Sequence, residues 1–417
     1  MSGSPLVVAI VAATYFGVAI GHIPGLKLNR AGIALLGAIA VMVCGRISTA
    51  QAVALINWPT IFLLFGFFVI SAQLCLSGLY ARLAETVARQ LGRPARFLFI
   101  VMAVTAGLSA ILNHDVVCLV FTPVVAAALL SRRLDPVPFL IALAIASNLG
   151  AAATLVGSPQ NMMIGEVAHL GFGAYLLWSV IPTVVSLAAA YGLIWALARR
   201  RIEGADPRKA AKLPPQERPG LARTFPFDPG HTRKGLFILA LVIALFFTPL
   251  PKEVIALVAA GIHLASRKYR TEELLGLVDW PLLLLFMSLF VVTGAFQAGD
   301  YGHTAAGWLG RHQTWSQSPL PLILATTVLS NLMSNAPAVM LLLKIIPATQ
   351  PHSAFLLALA NGSAGNLTLM GGVANLIVVQ QARAQGVKIS YGDYLRLGGP
   401  VAVVSLGILG LWAAATA

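Results

Sequence analysis

The chain has 417 residues, 58% of them hydrophobic and only 10% charged. Soluble domains carry roughly 25% charged residues, so a chain this long and this apolar cannot cover itself with polar groups and needs a bilayer as its solvent. The net charge of +14 does not point to nucleic acid, because the 28 basic residues gather between apolar runs, the pattern of a multi-pass protein with basic cytoplasmic loops.

In chain order, apolar runs fall at about 5–21, 31–45, 58–78, 97–112, 115–130, 137–156, 173–198, 235–249, 253–266, 281–298, 319–333, 336–350, 353–370 and 395–416. No cation precedes Lys27, so the first run reads as a retained span rather than a cleaved signal. A full crossing needs roughly 20 residues. The short runs come in pairs, 97–112 with 115–130 and 319–333 with 336–350, and each pair reads as a re-entrant hairpin, 97–130 and 319–350, meeting at a polar tip.

The longest polar stretch, 199–234, holds ten cations and four anions and reads as a cytoplasmic linker between a first half, 1–198, and a second half, 235–417. Counting spans outward from it puts Lys27, Arg30, Arg82–Arg96, Arg132, Arg133, Arg267, Lys268, Arg270, Arg383 and Lys388 inside. Arg46, Arg311 and both termini fall outside. Five spans plus a hairpin per half, an odd number of crossings, invert the second half relative to the first.

The halves also match in sequence. Trp58-Pro59 recurs as Trp280-Pro281 and Asn113 as Asn335, both 222 positions on. Thr154, Leu155, Gly157 and Asn161 recur as Thr368, Leu369, Gly371 and Asn375, all 214 positions on, with Ser147 opposite Asn361. Two inverted repeats with interrupted helices imply alternating access around a site near the bilayer midplane. The fold class expected is thus an all-α polytopic membrane protein.

Two segments, 147–161 and 361–375, place polar and helix-breaking residues where a membrane helix is ordinarily apolar: Ser147, Asn148, Gly150, Thr154, Gly157 and Asn161, then Asn361, Ser363, Asn366, Thr368, Gly371 and Asn375. Glycine weakens a helix by roughly 1 kcal/mol against alanine. Such segments unwind, freeing carbonyls for a cation and N–H groups for an anion. Close packing through small residues accounts for the glycines but not for the asparagines.

The hairpin tips are Asn113-His114-Asp115 and Ser334-Asn335. A buried acid within a membrane marks an ion path, so Asp115 is a candidate ligand for Na⁺ or a carrier of H⁺, unless it only caps its helix. His114 is the side-chain type suited to a proton relay. A Na⁺ site would lie near Asn113, Asp115, Asn148, Asn335 and Asn366. Lys344 either snorkels to the outer surface, attracts an anion or substitutes for a coupling cation, and Glu166 and His169 are expected near the outer surface. Cys44, Cys75 and Cys118 form no CxxC pair and point to no disulfide or zinc site. No Walker loop, HExxH or GxSxG motif occurs, so neither ATP use nor catalysis is expected, and no cofactor beyond the coupling ion.

The run Ala146-Ser147-Asn148-Leu149-Gly150 through Val156-Gly157-Ser158-Pro159-Gln160-Asn161, the tips Asn113-His114-Asp115 and Ser330-Asn331-Leu332-Met333-Ser334-Asn335, and Gly365-Asn366-Leu367-Thr368 through Gly371-Gly372-Val373-Ala374-Asn375 resemble the ion transporter superfamily. Its members include arsenite permease-like, citrate permease-like and divalent anion:sodium symporter proteins. The resemblance covers nearly the whole chain. It implies a homodimer in a bacterial inner membrane, with a packed scaffold and a mobile unit carrying both hairpins. It also implies movement of a small anion, carboxylate or oxyanion, driven by Na⁺ or H⁺. In the dicarboxylate branch, Ser-Asn-Thr triplets bind Na⁺ and carboxylate. Here Asn113-His114-Asp115, Ser147-Asn148-Leu149 and Ser334-Asn335-Ala336 stand instead, which leaves H⁺ coupling, arsenite or antimonite efflux and Na⁺/H⁺ antiport open. A channel would differ from all of these by passing current without a countersubstrate.

Overall fold

The computed structural model describes residues 5–21, 25–45, 47–203, 225–297, 318–344, 346 and 351–416. Most of the expected linker (204–224), Arg46, and the outer loop with Arg311 (298–317) lie outside the described residues. Among the described residues the chain is helical throughout, with no strand.

The first ten helices are α1 (Pro5–Ile20), α2 (Arg30–Cys44), α3 (Thr49–Leu55), α4 (Trp58–Leu76), α5 (Leu79–Ala88), α6 (Pro94–Ile111), α7 (His114–Ser131), α8 (Val137–Ala152), α9 (Pro159–Val167) and α10 (Phe172–Glu203). After the linker come α11 (Pro229–Leu245), α12 (Lys252–Leu264), α13 (Thr271–Leu275), α14 (Trp280–Gln297), α15 (Pro319–Met333), α16 (Asn335–Leu343) and α17 (Pro351–Ala364). A 3₁₀ turn at Leu369–Gly371, α18 (Val373–Ala384) and α19 (Tyr391–Ala415) complete the chain. Among the described residues six helices, α4, α6, α7, α10, α14 and α19, are long and apolar enough to cross a membrane. α1, α2, α8 and α15 are shorter apolar helices.

Helix starts follow local chemistry. Asn29 caps α2 by accepting from Gly32 N at 2.9 Å, and Asn57 caps α4 by accepting from Thr60 N at 3.0 Å. Proline occupies the first turn of α4, α6, α8, α9 and α15, where its missing N–H costs nothing. Each Trp-Pro pair does the same work: Trp58 Nε1 donates to Val53 O at 3.1 Å and Trp280 Nε1 to Leu275 O at 2.9 Å. Each indole thereby ties its span to the short helix before it.

Three short helices, α3, α5 and α13, stand where the apolar-run reading has loops. They are too short and too polar to register as spans. The interrupted segments are also narrower than expected. α8 remains helical to Ala152 and α17 to Ala364, so the breaks are confined to 153–158 and 365–372. Ser147, Asn148, Gly150, Asn361 and Ser363 therefore project from regular helix, because the i to i−4 ladder survives until its last carbonyls find other donors.

Packing between the halves is reciprocal. α4 packs on α12 and α14 on α2; α3 on α14 and α13 on α4; α7 on α18 and α16 on α9. α10 pairs with α19, and α8 crosses α17. α8 is buried along its whole length, whereas α10 and α19 leave Leu177, Val184, Val403 and Leu411 exposed. An apolar exterior around a close-packed interior is what a lipid solvent permits.

Candidate functional site

The two breaks lie against the two hairpin tips, each stitched by the same chemistry. At the first break, Ser158 caps α9 by accepting from Asn161 N at 3.1 Å. Asn161 Nδ2 donates to Thr154 O at 2.9 Å and Ala151 O at 3.3 Å. Thr154 Oγ1 accepts from Val156 N at 3.2 Å and Gly157 N at 3.1 Å, and donates to Ala110 O on α6. At the second, Asn375 Nδ2 donates to Gly365 O at 2.7 Å and Thr368 O at 3.2 Å. Thr368 Oγ1 donates to Asn331 Oδ1 on α15 at 2.8 Å, while Asn331 Nδ2 donates to Ala364 O at 3.0 Å. A broken membrane helix must satisfy its freed carbonyls inside the protein. Asn161, Asn331 and Asn375 do this with their amide N–H groups, while Thr154 takes up the freed N–H groups of Val156 and Gly157 and Thr368 orients the Asn331 amide.

The breaks are anchored to the hairpins. Ser147 Oγ lies 3.0 Å from Ser109 Oγ and donates to His114 O at 3.3 Å. In the second half Ser330 Oγ donates to Asn361 Oδ1 at 3.1 Å. Gly150 faces the Ala106 backbone so closely that a Cβ would collide with it, and Gly157 meets Ala151 and Ser109 carbonyls in the same way. At Gly371 a Cβ would lie 2.6 Å from Asn331 Oδ1.

The halves meet at Asn148. Its Nδ2 donates to Asn366 Oδ1 at 2.8 Å and to Asn375 Oδ1 at 2.9 Å. All three side chains are buried. Gly372 lies alongside: a Cβ there would come within 3.5 Å of Asn148 Nδ2.

The tips differ in chemistry. At the first, Asn113 Oδ1 accepts from Asp115 N at 2.9 Å, capping α7. His114 Nδ1 lies 3.2 Å from Gly157 O. A carbonyl only accepts, so Nδ1 carries the hydrogen and Nε2 faces Asp115 Oδ1 at 3.5 Å. At the second, Ser334 takes φ +73° and ψ 160°, a backbone region that costs a non-glycine residue of order 1–3 kcal/mol and collects at functional sites. Asn335 packs against Gly365, where a Cβ would lie 3.2 Å from Asn335 Nδ2. Asn113, His114, Ser334 and Asn335 are all buried.

Three buried polar atoms here have no hydrogen-bond partner: Asp115 Oδ1, Asn335 Oδ1 and Asn366 Nδ2. Orphaned buried polar atoms are rare and costly, and two acceptors with one donor suit a cation beside a polar or anionic solute. Ser363 is placed elsewhere, lining a small void with Thr183, Ser186 and Ser405. Glu166 is buried rather than at the surface, whereas His169 and Lys344 are exposed. Among the described residues no cluster of three or more His, Cys, Asp or Glu could hold a metal ion. Asn331 and Arg30, absent from the expected set, both enter the site. Asn331 was legible as an amide inside an otherwise apolar helix.

Residues 15–360 match the family described as citrate transporter. The chain is 28% identical to the "46 kDa membrane protein" of Mycobacterium leprae, covering 97% of this chain and 98% of that one. It is 26% identical to the "Silicon efflux transporter LSI3" of Oryza sativa subsp. japonica, covering 93% of each. Among solved structures, the YdaH transporter of Alcanivorax borkumensis superposes with a TM-score of 0.57 at 14% identity, covering 98% of this chain and 97% of that one.

Proposed function

The chain belongs to the citrate transporter family, a family of transporters rather than enzymes, and from that premise we propose that it moves a small anion, carboxylate or oxyanion, across a bacterial inner membrane, driven by Na⁺ or H⁺. That it is a multi-pass secondary transporter of some small solute follows from the family. The substrate, the coupling ion and the site residues are our reading.

The observation that carries it is the joining of two broken helices at Asn148, with an orphaned atom on its partner Asn366 and one at each tip, on Asp115 and Asn335. Two inverted repeats account for the reciprocal packing of α4 on α12 and α14 on α2. Re-entrant hairpins account for the burial of both tips, since a turn between two full spans would sit at the membrane surface. α6 and α7 are 18 residues each, about 27 Å, close to the ~30 Å of a hydrocarbon core. The described α16 is nine residues, only about 14 Å. Under this reading α1–α4 and α11–α14 form the scaffold, and α6–α10 with α15–α19 form the moving unit. The linker lies in the cytoplasm, both termini lie outside, and the assembly is a homodimer.

Asp115 is the ion-coupling residue. It takes Na⁺, or exchanges a proton with His114 Nε2. Asn148, Asn335 and Asn366 line the solute.

A second reading has one observation in its favour. Likeness to a silicon efflux transporter across 93% of both chains suits a neutral oxyacid, which amides and hydroxyls bind without a full charge. Uptake into proteoliposomes of citrate, succinate, sulfate, arsenite and silicic acid separates the two. Saturable movement of a charged member supports the first, movement of silicic acid or arsenite alone supports the second, and movement of none contradicts both.

A further inference from the structure

We propose that Arg30, at the cytoplasmic start of α2, is the residue that binds the solute's negative charge, so that the two hairpin tips are charge-opposite: Asp115 serves the cation at the first tip and Arg30 the anion at the second. This deepens the functional reading above and rests on it.

Arg30 Nη1 donates to Ser334 Oγ at 3.3 Å, linking positions 304 residues apart. It has no carboxylate partner: no ion pair among the described residues includes it. A guanidinium carries five N–H donors in a planar fork matched to carboxylates and oxyanions. One long bond to a hydroxyl leaves most of that capacity unused. A partly buried cation without a counter-ion is costly in a membrane protein and is ordinarily retained for function.

Its stem is deliberately placed. Gly21, at the end of α1, takes φ +81°, and a Cβ there would stand 3.2 Å from Arg30 Nε. The side chain thus lies over the C-terminal end of α1, where helix carbonyls favour a cation, and its head reaches the tip. At that tip Ser334 is held with φ +73°, and Asn335, packed on Gly365, leads directly to Asn366 and its orphaned Nδ2. The Arg30 guanidinium and the Ser334 hydroxyl meet at this tip, and the spare donors of the guanidinium suit an oxyanion.

Three other cations near span ends have acidic neighbours. Arg201 is bound by Asp135 and Asp393, each at 2.8 Å. Lys268 pairs with Asp228. Lys252, at the matching start of α12, has Glu166 within electrostatic reach. Arg30 also belongs to a helix packed on α1 and α14, whereas Ser334 begins the second helix of the α15–α16 hairpin. Movement of the hairpin relative to α2 would therefore withdraw the positive charge from the solute, giving the anion a binding state and a release state.

The test uses purified wild-type, R30Q, R30K and S334A protein with citrate, sulfate and arsenate as probes. Binding is read as the ligand-induced shift in melting temperature, transport as the KM in proteoliposomes. A hydrogen-bonded charge is worth roughly 10-fold or more in affinity. R30Q is expected to lose at least that factor for whichever anion stabilises the wild type, with R30K in between because it keeps charge without the fork. S334A is expected to weaken binding less. A residue that merely docked α2 on the hairpin would lower the baseline melting temperature and leave the ligand-induced shift intact. Wild-type binding with an unchanged shift in R30Q or a fully normal KM in R30K overturns the Arg30 assignment alone. A wild-type protein that binds and moves none of the three anions overturns the anion reading, and Arg30's role with it.

Discussion

Asn148 Nδ2 donates to Asn366 Oδ1 at 2.8 Å, joining positions 218 residues apart on the two broken helices. The same nitrogen donates to Asn375 Oδ1, the residue whose amide closes the second break. One side chain thus couples the geometry of one half to that of the other. Asn148→Ala strips two buried acceptors of their donor at once, at about 1–3 kcal/mol for each oxygen left unsatisfied. The variant is expected to melt at lower temperature and bind solute more weakly. Asn148→Asp, which sets a carboxylate against two oxygens, is expected to be worse. Thermal melting with and without solute checks both. Wild-type stability in Asn148→Ala would show the contact to be incidental.

Asp115→Asn keeps the size of the side chain and its place in the first turn of α7, where Asn113 caps the helix. It removes the charge that faces His114 Nε2. Gradient-driven accumulation is expected to fall at least 100-fold, about 3 kcal/mol, while exchange of labelled for unlabelled solute survives. Accumulation at the wild-type rate would remove Asp115 from coupling.

Close approach of α6 and α8 depends on Gly150, where a Cβ would collide with the Ala106 backbone. Gly150→Ala is expected to cost about 1–3 kcal/mol through overpacking and to lower transport by displacing Asn148. Gly192, on α10, has nothing within 4 Å of its notional Cβ. Gly192→Ala is expected to be neutral or to stabilise by about 0.4–1 kcal/mol. Melting temperatures of the two variants, side by side, check the contrast.

At the end of the linker, Asp228 caps α11 through His231 N at 3.0 Å and meets Lys268 and His231 Nδ1. The Lys268 ammonium, then the His231 N–H, hold its carboxyl well below the ordinary 3.8. A depressed carboxylate pKa contributes stability that is complete above the unfolded value and is lost as pH falls through the folded one. The stability advantage of wild type over Asp228→Asn is therefore expected to be complete at pH 7, to hold to about pH 5 and to shrink progressively below that. Lys268 is exposed and Asp228 partly so, and 0.5 M salt is expected to reduce the advantage at pH 7. Melting curves across pH and salt read both effects.

Much of this was legible in the sequence, because lipid solvation makes polar residues rare and therefore informative. The tips at Asn113 and Asn335 and the breaks before Asn161 and Asn375 were marked by polar or helix-breaking residues in apolar surroundings, whereas the runs at 97–112 and 115–130 read as short and fold as 18-residue helices long enough to cross. What those residues do was not legible. Asn161 and Asn375 are donors to carbonyls at the helix end and within the break before them, seven and ten positions back, a role indistinguishable in sequence from that of an ion ligand. The short helices α3, α5 and α13 carry no long apolar run. Arg30 read as one more cytoplasmic cation, since its bond to Ser334 spans 304 residues, and nothing local announces a contact of that kind.

The most direct test is solute accumulation in proteoliposomes under Na⁺ and pH gradients imposed one at a time, with and without an ionophore that collapses each. Coupled transport through this site predicts accumulation above the outside concentration with one gradient and its loss when that gradient is collapsed, in the wild type and not in Asp115→Asn. Solute that only equilibrates, whatever gradient is imposed, would contradict it and leave a channel with transporter architecture.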